Sequence, residues 1–341
     1  MFRLGIDPGF GNFKVACTNS MSKIAIVPSV VGVGDTDIGL LSLGSLGHRH
    51  RQTVPDKVSY GGITYLVGEN VARYARPLQR MDLLRLSDGP ELRLLLYTAI
   101  YRLLGSGAYQ VALMIGLPVE VMADRERGLA TLRSLRGWLI GHHEFMVNGD
   151  SILLEITEIQ AMPQPAGTFF AWGLNDEGHW IRGKEELRVP VAICDVGFNT
   201  LDLFAVQSGE VIARYTGGDT VGMRRAAEML CSALRARYSV DISLHEADAL
   251  IRDKFPKIYT AVGEINLRPL VTQALDATAA AVVTFMEQRW GKGKQFTYLI
   301  LTGGGAETLR DHLLRQYPHG VILPNPVVAN AIGLARYAVR K

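Results

Sequence analysis

Two stretches of this 341-residue chain repeat one arrangement of chemically able residues. GIDPGFGNFK starts at Gly5 and ICDVGFNTLDL at Ile193. Each brings an aspartate, Asp7 or Asp195, from an apolar run into a turn. The first turn holds Gly9, Phe10, Gly11 and Asn12, the second Gly197, Phe198, Asn199 and Thr200. Glycine lets a backbone approach a ligand closely. Successive N–H groups in such a turn make a nest for an anion, phosphate above all. Lys14, where the chain re-enters a strand, can meet a phosphate as a point charge. A carboxylate beside a phosphate needs a cation between them. Hydrated Mg2+ keeps most of its waters and takes few protein carboxylates, so it suits Asp7 and Asp195. One such hairpin reads equally well as a plain Pro-Gly turn. Two, one from each half of the chain, suggest a polyphosphate clamped between matching walls.

LTGGGAETL, from Leu301, is a third element. Gly303, Gly304 and Gly305 join an apolar strand to a helix start, where a backbone can lie flat against a nucleoside or its phosphates. It lacks the Lys-Ser/Thr of a P-loop, and no GxGxxG follows the first strand. Gly218 and Asp219 precede a helix carrying Arg224 and Glu228. Asp219 is placed to cap that helix.

These residues need a frame. Apolar periodicity predicts strands at 2–7, 12–18 and 23–30, a hairpin in YGGITYLVGEN, a helix at 91–104 and a strand at 110–118. A helix at 124–136 and strands at 143–148 and 151–158 follow. The pattern restarts with strands at 189–196, 200–207 and 210–216, helices at 220–237, 244–253 and 263–289, then strand, glycine turn, helix, short strand and terminal helix. Alternating strands and helices in both halves give an α/β class. Residues 32–56, with HRHR at 48–51, read as a surface loop.

Bulk numbers agree with two packed domains. Hydrophobic residues are 48% and charged residues 20% of the chain, which excludes disorder. A net charge of +3 gives no footprint for direct nucleic-acid binding. Three cysteines, Cys17, Cys194 and Cys231, show neither disulfide nor metal spacing, and the first two read as core residues in a reducing cytoplasm. Asp7 interrupts the first apolar run, so no leader is expected. ALDATAAAVVTFM is shorter than the roughly 20 residues a membrane span needs, so no membrane partner is expected.

The motifs, taken in order, resemble those of the actin, Hsp70 and sugar-kinase superfamily. GIDPGFGNFK resembles its first phosphate loop, ICDVGFNTLDL its second and LTGGGAETL its adenosine loop. MPQPAGTFFAW, from Met162, and PNPVVANAIGLARYA, from Pro324, resemble the two segments connecting its domains. Chain length, YLVGENVARYA and YTGGDTVGMRRAAEML are most similar to ParM-type prokaryotic actin-like proteins.

The resemblance implies an actin-like fold: two related RNase H-like α/β domains around a nucleotide cleft, one formed by 1–165 with 325–341, the other by 166–324. It implies ATP or GTP with Mg2+, the metal held through water by Asp7 and Asp195. It places the two hairpins and the Gly303–Gly305 loop around the nucleotide, with Arg224 and Glu228 near its base. Gln164 would orient the attacking water, with Glu158 and Gln160 as neighbouring alternatives. A glutamine cannot act as a general base at neutral pH, so slow hydrolysis follows. Gln164 also reads as an ordinary helix-start residue. The partners implied are further copies of the chain in a filament, and an adaptor protein on DNA. A small-molecule kinase of the same fold, with Asp202 as its acid–base residue, is the competing reading. A chaperone-like ATPase is the least favoured reading, since the Hsp70 kind is expected to carry a peptide-binding domain after its ATPase core.

Overall fold

The computed structural model describes residues 1–18, 23–36, 54–78, 90–261 and 263–340. Most of the expected loop at 32–56, including HRHR, lies outside them.

The first half opens with a meander, β1 (Phe2–Pro8), β2 (Asn12–Cys17) and β3 (Lys23–Pro28). Short strands follow: β4 (Val31–Val33), β5 (Asp56–Tyr60), β6 (Ile63–Val67) and β7 (Pro77–Leu78). Then come α1 (Pro90–Leu104), β8 (Gly107–Leu117), α2 (Val119–Ala123), α3 (Arg125–Leu139), β9 (Gly141–Val147) and β10 (Asp150–Pro163). Asp124 starts α3 by accepting the backbone N–H groups of Glu126 and Arg127, both at 3.0 Å, which satisfies two donors the helix cannot pair itself. All ten strands join one sheet in the order β3-β2-β1-β8-β10-β9-β5-β6-β4-β7. β10 is longer than expected; a register shift between Ile156 and Glu158 lets it run on to Pro163.

α4 (Gln164–Gly173) carries the chain out of this sheet, and α5 (Lys184–Arg188) leads into the second. There β11 (Val191–Val196), β12 (Leu201–Gln207), β13 (Glu210–Val211) and β14 (Gly217–Asp219) precede α6 (Met223–Tyr238) and α7 (Leu244–Arg252). The hairpin of β15 (Lys257–Thr260) and β16 (Gly263–Asn266) leads into α8 (Arg268–Trp290). β17 (Tyr298–Thr302), α9 (Gly303–Thr308), α10 (Arg310–Gln316), β18 (Gly320–Ile322) and α11 (Ala329–Arg340) complete the chain.

The second sheet runs β13-β12-β11-β17-β18, with β14 on β12. Its order repeats β3-β2-β1-β8-β10: an antiparallel meander, then two parallel strands beside the first strand. All six residues of β11 are buried, as expected of a central strand covered on both faces. The repeated Asp turn is therefore the visible part of a repeated architecture.

Several expectations are corrected. The span 210–216 is a two-residue strand and a 3-10 turn. Residues 263–266 pair as β16, so α8 begins only at Arg268. At 23 residues α8 is long and apolar enough to cross a membrane, unlike the shorter segment read from sequence. Its Leu270, Val271, Ala274, Val282, Met286 and Trp290 lie in the second core. Gly217–Asp219 pairs with β12, so α6 starts later at its N-cap Gly222 and Asp219 caps nothing. Asp219 instead accepts the N–H of Thr220.

α4 follows the first sheet but lays Phe169, Phe170 and Trp172 on Val191, Ile193 and Phe204 of the second. α11 follows the second sheet but packs Ala331 and Ala335 beside Ala16 of the first. The two helices cross in backbone contact. A Cβ on Gly333 would lie 1.7 Å from the carbonyl oxygen of Gly167.

Candidate functional site

The two hairpins face one another across a cavity of about 190 Å³. Asp7, Gly9, Phe10, Gly11, Asn12 and Lys14 line one wall; Asp195, Gly197, Phe198, Asn199 and Thr200 line the other. Gln164, Gly303 and Gly304 complete the set that the sequence anticipated. The walls meet at Gly11, where a Cβ would lie 3.0 Å from that of Phe198. Gly303 adopts φ +84°, and a Cβ there would fall 2.3 Å from Oδ1 of Asp195. Only glycine brings that loop so close to the carboxylate.

Asp7 is buried and doubly held. Lys14 Nζ donates to its Oδ2 at 2.8 Å and Gln164 Nε2 to its Oδ1 at 3.0 Å. Gln164 is the first residue of α4, so it is both a helix-start residue and part of the cavity wall. Asp195 is buried too. Its Oδ2 accepts from Asn330 Nδ2 at 2.6 Å. Burial and the nearby Asp7 push its carboxyl up to about 6, against the Asn330 hydrogen bond and Lys14.

The strand registers explain this asymmetry. Asp7 faces Lys14 across the first hairpin, whereas Asp195 faces Asp202 across the second. Asp202 does not line the cavity. Its Oδ1 accepts the backbone N–H of Val119 at 2.8 Å, while its buried Oδ2 finds no partner among the described residues. Burial and Asp195 push its carboxyl up to about 7, opposed by hydrogen bonds from Val119 and Thr200. The second wall thus concentrates negative charge that a cation would relieve. Among the described residues no group of three or more His, Cys, Asp and Glu side chains could hold a metal. The two facing aspartates fit a hydrated Mg2+ that keeps most of its own waters.

The remaining expected residues lie apart. Gly305 packs on Val196, where a Cβ would lie 2.5 Å from Cγ1. Gly218 sits against Asp202 and Glu120. Arg224 reaches the cavity wall through Asn199 Oδ1 at 3.2 Å and pairs with Glu228 at 2.7 Å. Glu228 lines a separate groove with Arg225 and Met229. Glu158 and Gln160, the alternatives to Gln164, are not among the lining residues.

Three lining residues escaped the sequence reading: Arg252, Val327 and Asn330. Arg252 ends α7, is locked by Asp248 at 2.9 and 3.0 Å, and donates to the Gly304 carbonyl at 2.9 Å. Asn330 lies in PNPVVANAIG, the segment already singled out as a domain connection, which was its available signal. Arg252 had none, because its place depends on where α7 ends.

The comparisons with known proteins match both halves. Residues 5–167 fit the family described as actin like proteins, N terminal domain. Residues 193–315 fit the family described as archaeal actin homologue MreB-like, C-terminal. Comparison with curated proteins gives no match. Among solved structures, a non-polymerisable quadruple mutant of pCBH ParM superimposes with TM-score 0.79 at 20% identity, covering 100% of this chain and 99% of that one. A 15-stranded ParM filament from Clostridium botulinum gives 0.77 at 20% identity, with coverages of 100% and 99%. The archaeal actin homologue Ta0583 in complex with ADP gives 0.75 at 17% identity, each chain covered 100%. With both halves matched to actin-like families, and the same fold over its whole length, the chain belongs to the actin-like superfamily.

Proposed function

We propose that this protein binds ATP or GTP with Mg2+ in the cleft, assembles into filaments of its own copies, and hydrolyses the nucleotide slowly to weaken them. The observation that carries the reading is the pair of matched hairpins, which bring Asp7 and Asp195 to one cavity beside Lys14, Gln164 and a ring of glycines. The hairpin N–H groups and Lys14 would hold the phosphates. Gly303, Gly304 and Arg252 would face the nucleoside. Asp7 and Asp195 would hold Mg2+ through its waters. When bound, that ion neutralises phosphate charge. Gln164 would orient the attacking water; as an amide it cannot remove the proton, which is why turnover is slow.

The domains in this reading are 1–165 with 325–341, and 166–324, hinged where α4 and α11 cross. Two solved relatives, the Clostridium botulinum ParM and Alp12, are filament structures. By analogy the cellular role is DNA segregation, through a DNA-bound adaptor, or a cytoskeletal function in the cytoplasm. The test is phosphate release from ATP and from GTP across a protein concentration series with Mg2+. Turnover per chain should rise above a threshold concentration, because the reading couples hydrolysis to assembly. No release from either nucleotide at any concentration would overturn the reading.

A further inference from the structure

The two aspartates are served by the helices that cross between the sheets. Gln164, first residue of α4, donates to Asp7. Asn330, second residue of α11, donates to Asp195. In the first hairpin Lys14 shares the task. In the second its register position is taken by Asp202, so Asn330 is the side-chain donor to Asp195 among the described residues. The orientation of the Asn330 amide is fixed by chemistry, since an ionised carboxylate can only accept. Its Oδ1 must then turn the other way, where it accepts Thr168 Oγ1–H at 2.7 Å. Thr168 stands on α4, fully buried. Its one proton goes to this contact and not to the longer one, 3.3 Å, with Thr302.

We propose that Asn330, oriented by Thr168, is the positioning residue that holds the Asp195 carboxylate toward the cation, as Gln164 and Lys14 hold Asp7. The relay runs from α4 through α11 to Asp195. The cation's second anchor is therefore set by how the crossing helices sit. The inference rests on the Mg2+-nucleotide reading of this cleft.

The experiment measures the Mg2+ concentration giving half-maximal binding of a fluorescent ATP analogue, with binding in EDTA as reference. Variants are Asn330→Ala, Thr168→Val, Thr168→Ser and the Asn330→Ala/Thr168→Val double. Loss of a hydrogen bond to a charged group should raise the Mg2+ requirement about tenfold in Asn330→Ala. Thr168→Val should raise it about threefold and Thr168→Ser should restore it, since the serine hydroxyl can still donate. The double should be no worse than Asn330→Ala, because both act through one carboxylate. Thr168→Val should leave binding in EDTA unchanged, since Thr168 does not line the cavity; for Asn330→Ala the Mg2+ requirement is read relative to that variant's own binding in EDTA. A Mg2+ requirement within about twofold of wild type in both single variants would overturn the inference, whatever their melting temperatures. If Asn330→Ala does not fold, the Thr168 pair decides. A wild-type protein whose nucleotide binding ignores Mg2+ would instead overturn the underlying reading, and the inference with it.

Discussion

Asp7 and Asp195 occupy matching hairpin positions but meet opposite neighbours, Lys14 in one case and Asp202 in the other. That difference gives a sign to the pH dependence. Burial, with Asp7 beside Asp195 and Asp195 beside Asp202, holds the two carboxyls at about 6 and about 7, against about 3.9 in an unfolded chain. Between about pH 4 and pH 7 the folded state therefore binds more protons than the unfolded state. Stability of the nucleotide-free protein should fall as pH rises through that window, by at most about 1.4 kcal/mol per pH unit for each group. Asp202→Asn keeps an acceptor for Val119 and removes one charge. It should flatten the slope and raise stability at pH 7.5, as read by urea melts at pH 5.5 and 7.5; an unchanged slope would contradict the assignment. Gln164→Ala should lower phosphate release by about tenfold to a hundredfold, while nucleotide affinity at saturating Mg2+ moves far less, because the amide also serves the reacting water. A variant that loses affinity but keeps its turnover rate would give Gln164 a binding role only. The hairpin residues were legible because each set is consecutive in sequence. Asn330 and Arg252 were not, since each reaches the cavity from a distant segment.

At the scale of elements, the crossing of α4 and α11 fixes how the two sheets sit. Gly333 and Gly167 allow backbone contact there, and no side chain can be added without moving a helix. Gly333→Ala should destabilise the protein by about 1–3 kcal/mol, the cost of overpacking, and should also weaken nucleotide binding. A urea melt with parallel binding measures both, and a stable variant with normal binding would show that the crossing can slide freely. Most helices and strands were readable from apolar periodicity, β11 and α1 among them. The misreadings have local causes. Gly217–Asp219 has the composition of a helix lead-in, yet its backbone groups are taken by β12. Residues 263–266 read from sequence as the start of α8, yet pair with β15. In both places strand pairing overrode what the local sequence preferred.

For the whole molecule, the repeat of sheet order in the two halves was only hinted at by the paired aspartate turns. Pairing between strands far apart in sequence sets that order, and it leaves no mark at a fixed spacing. The architecture makes each half one jaw of a cleft whose closure would be driven by a ligand that binds both walls. Assembly should then follow the nucleotide state. The most direct measurement is high-speed sedimentation with Mg2+ and ATP, GTP, ADP or no nucleotide, beside Asp195→Ala. The account predicts polymer in the pellet with at least one triphosphate, little with ADP or no nucleotide, and none for Asp195→Ala. Wild-type protein that binds nucleotide yet stays in the supernatant at every concentration would contradict it.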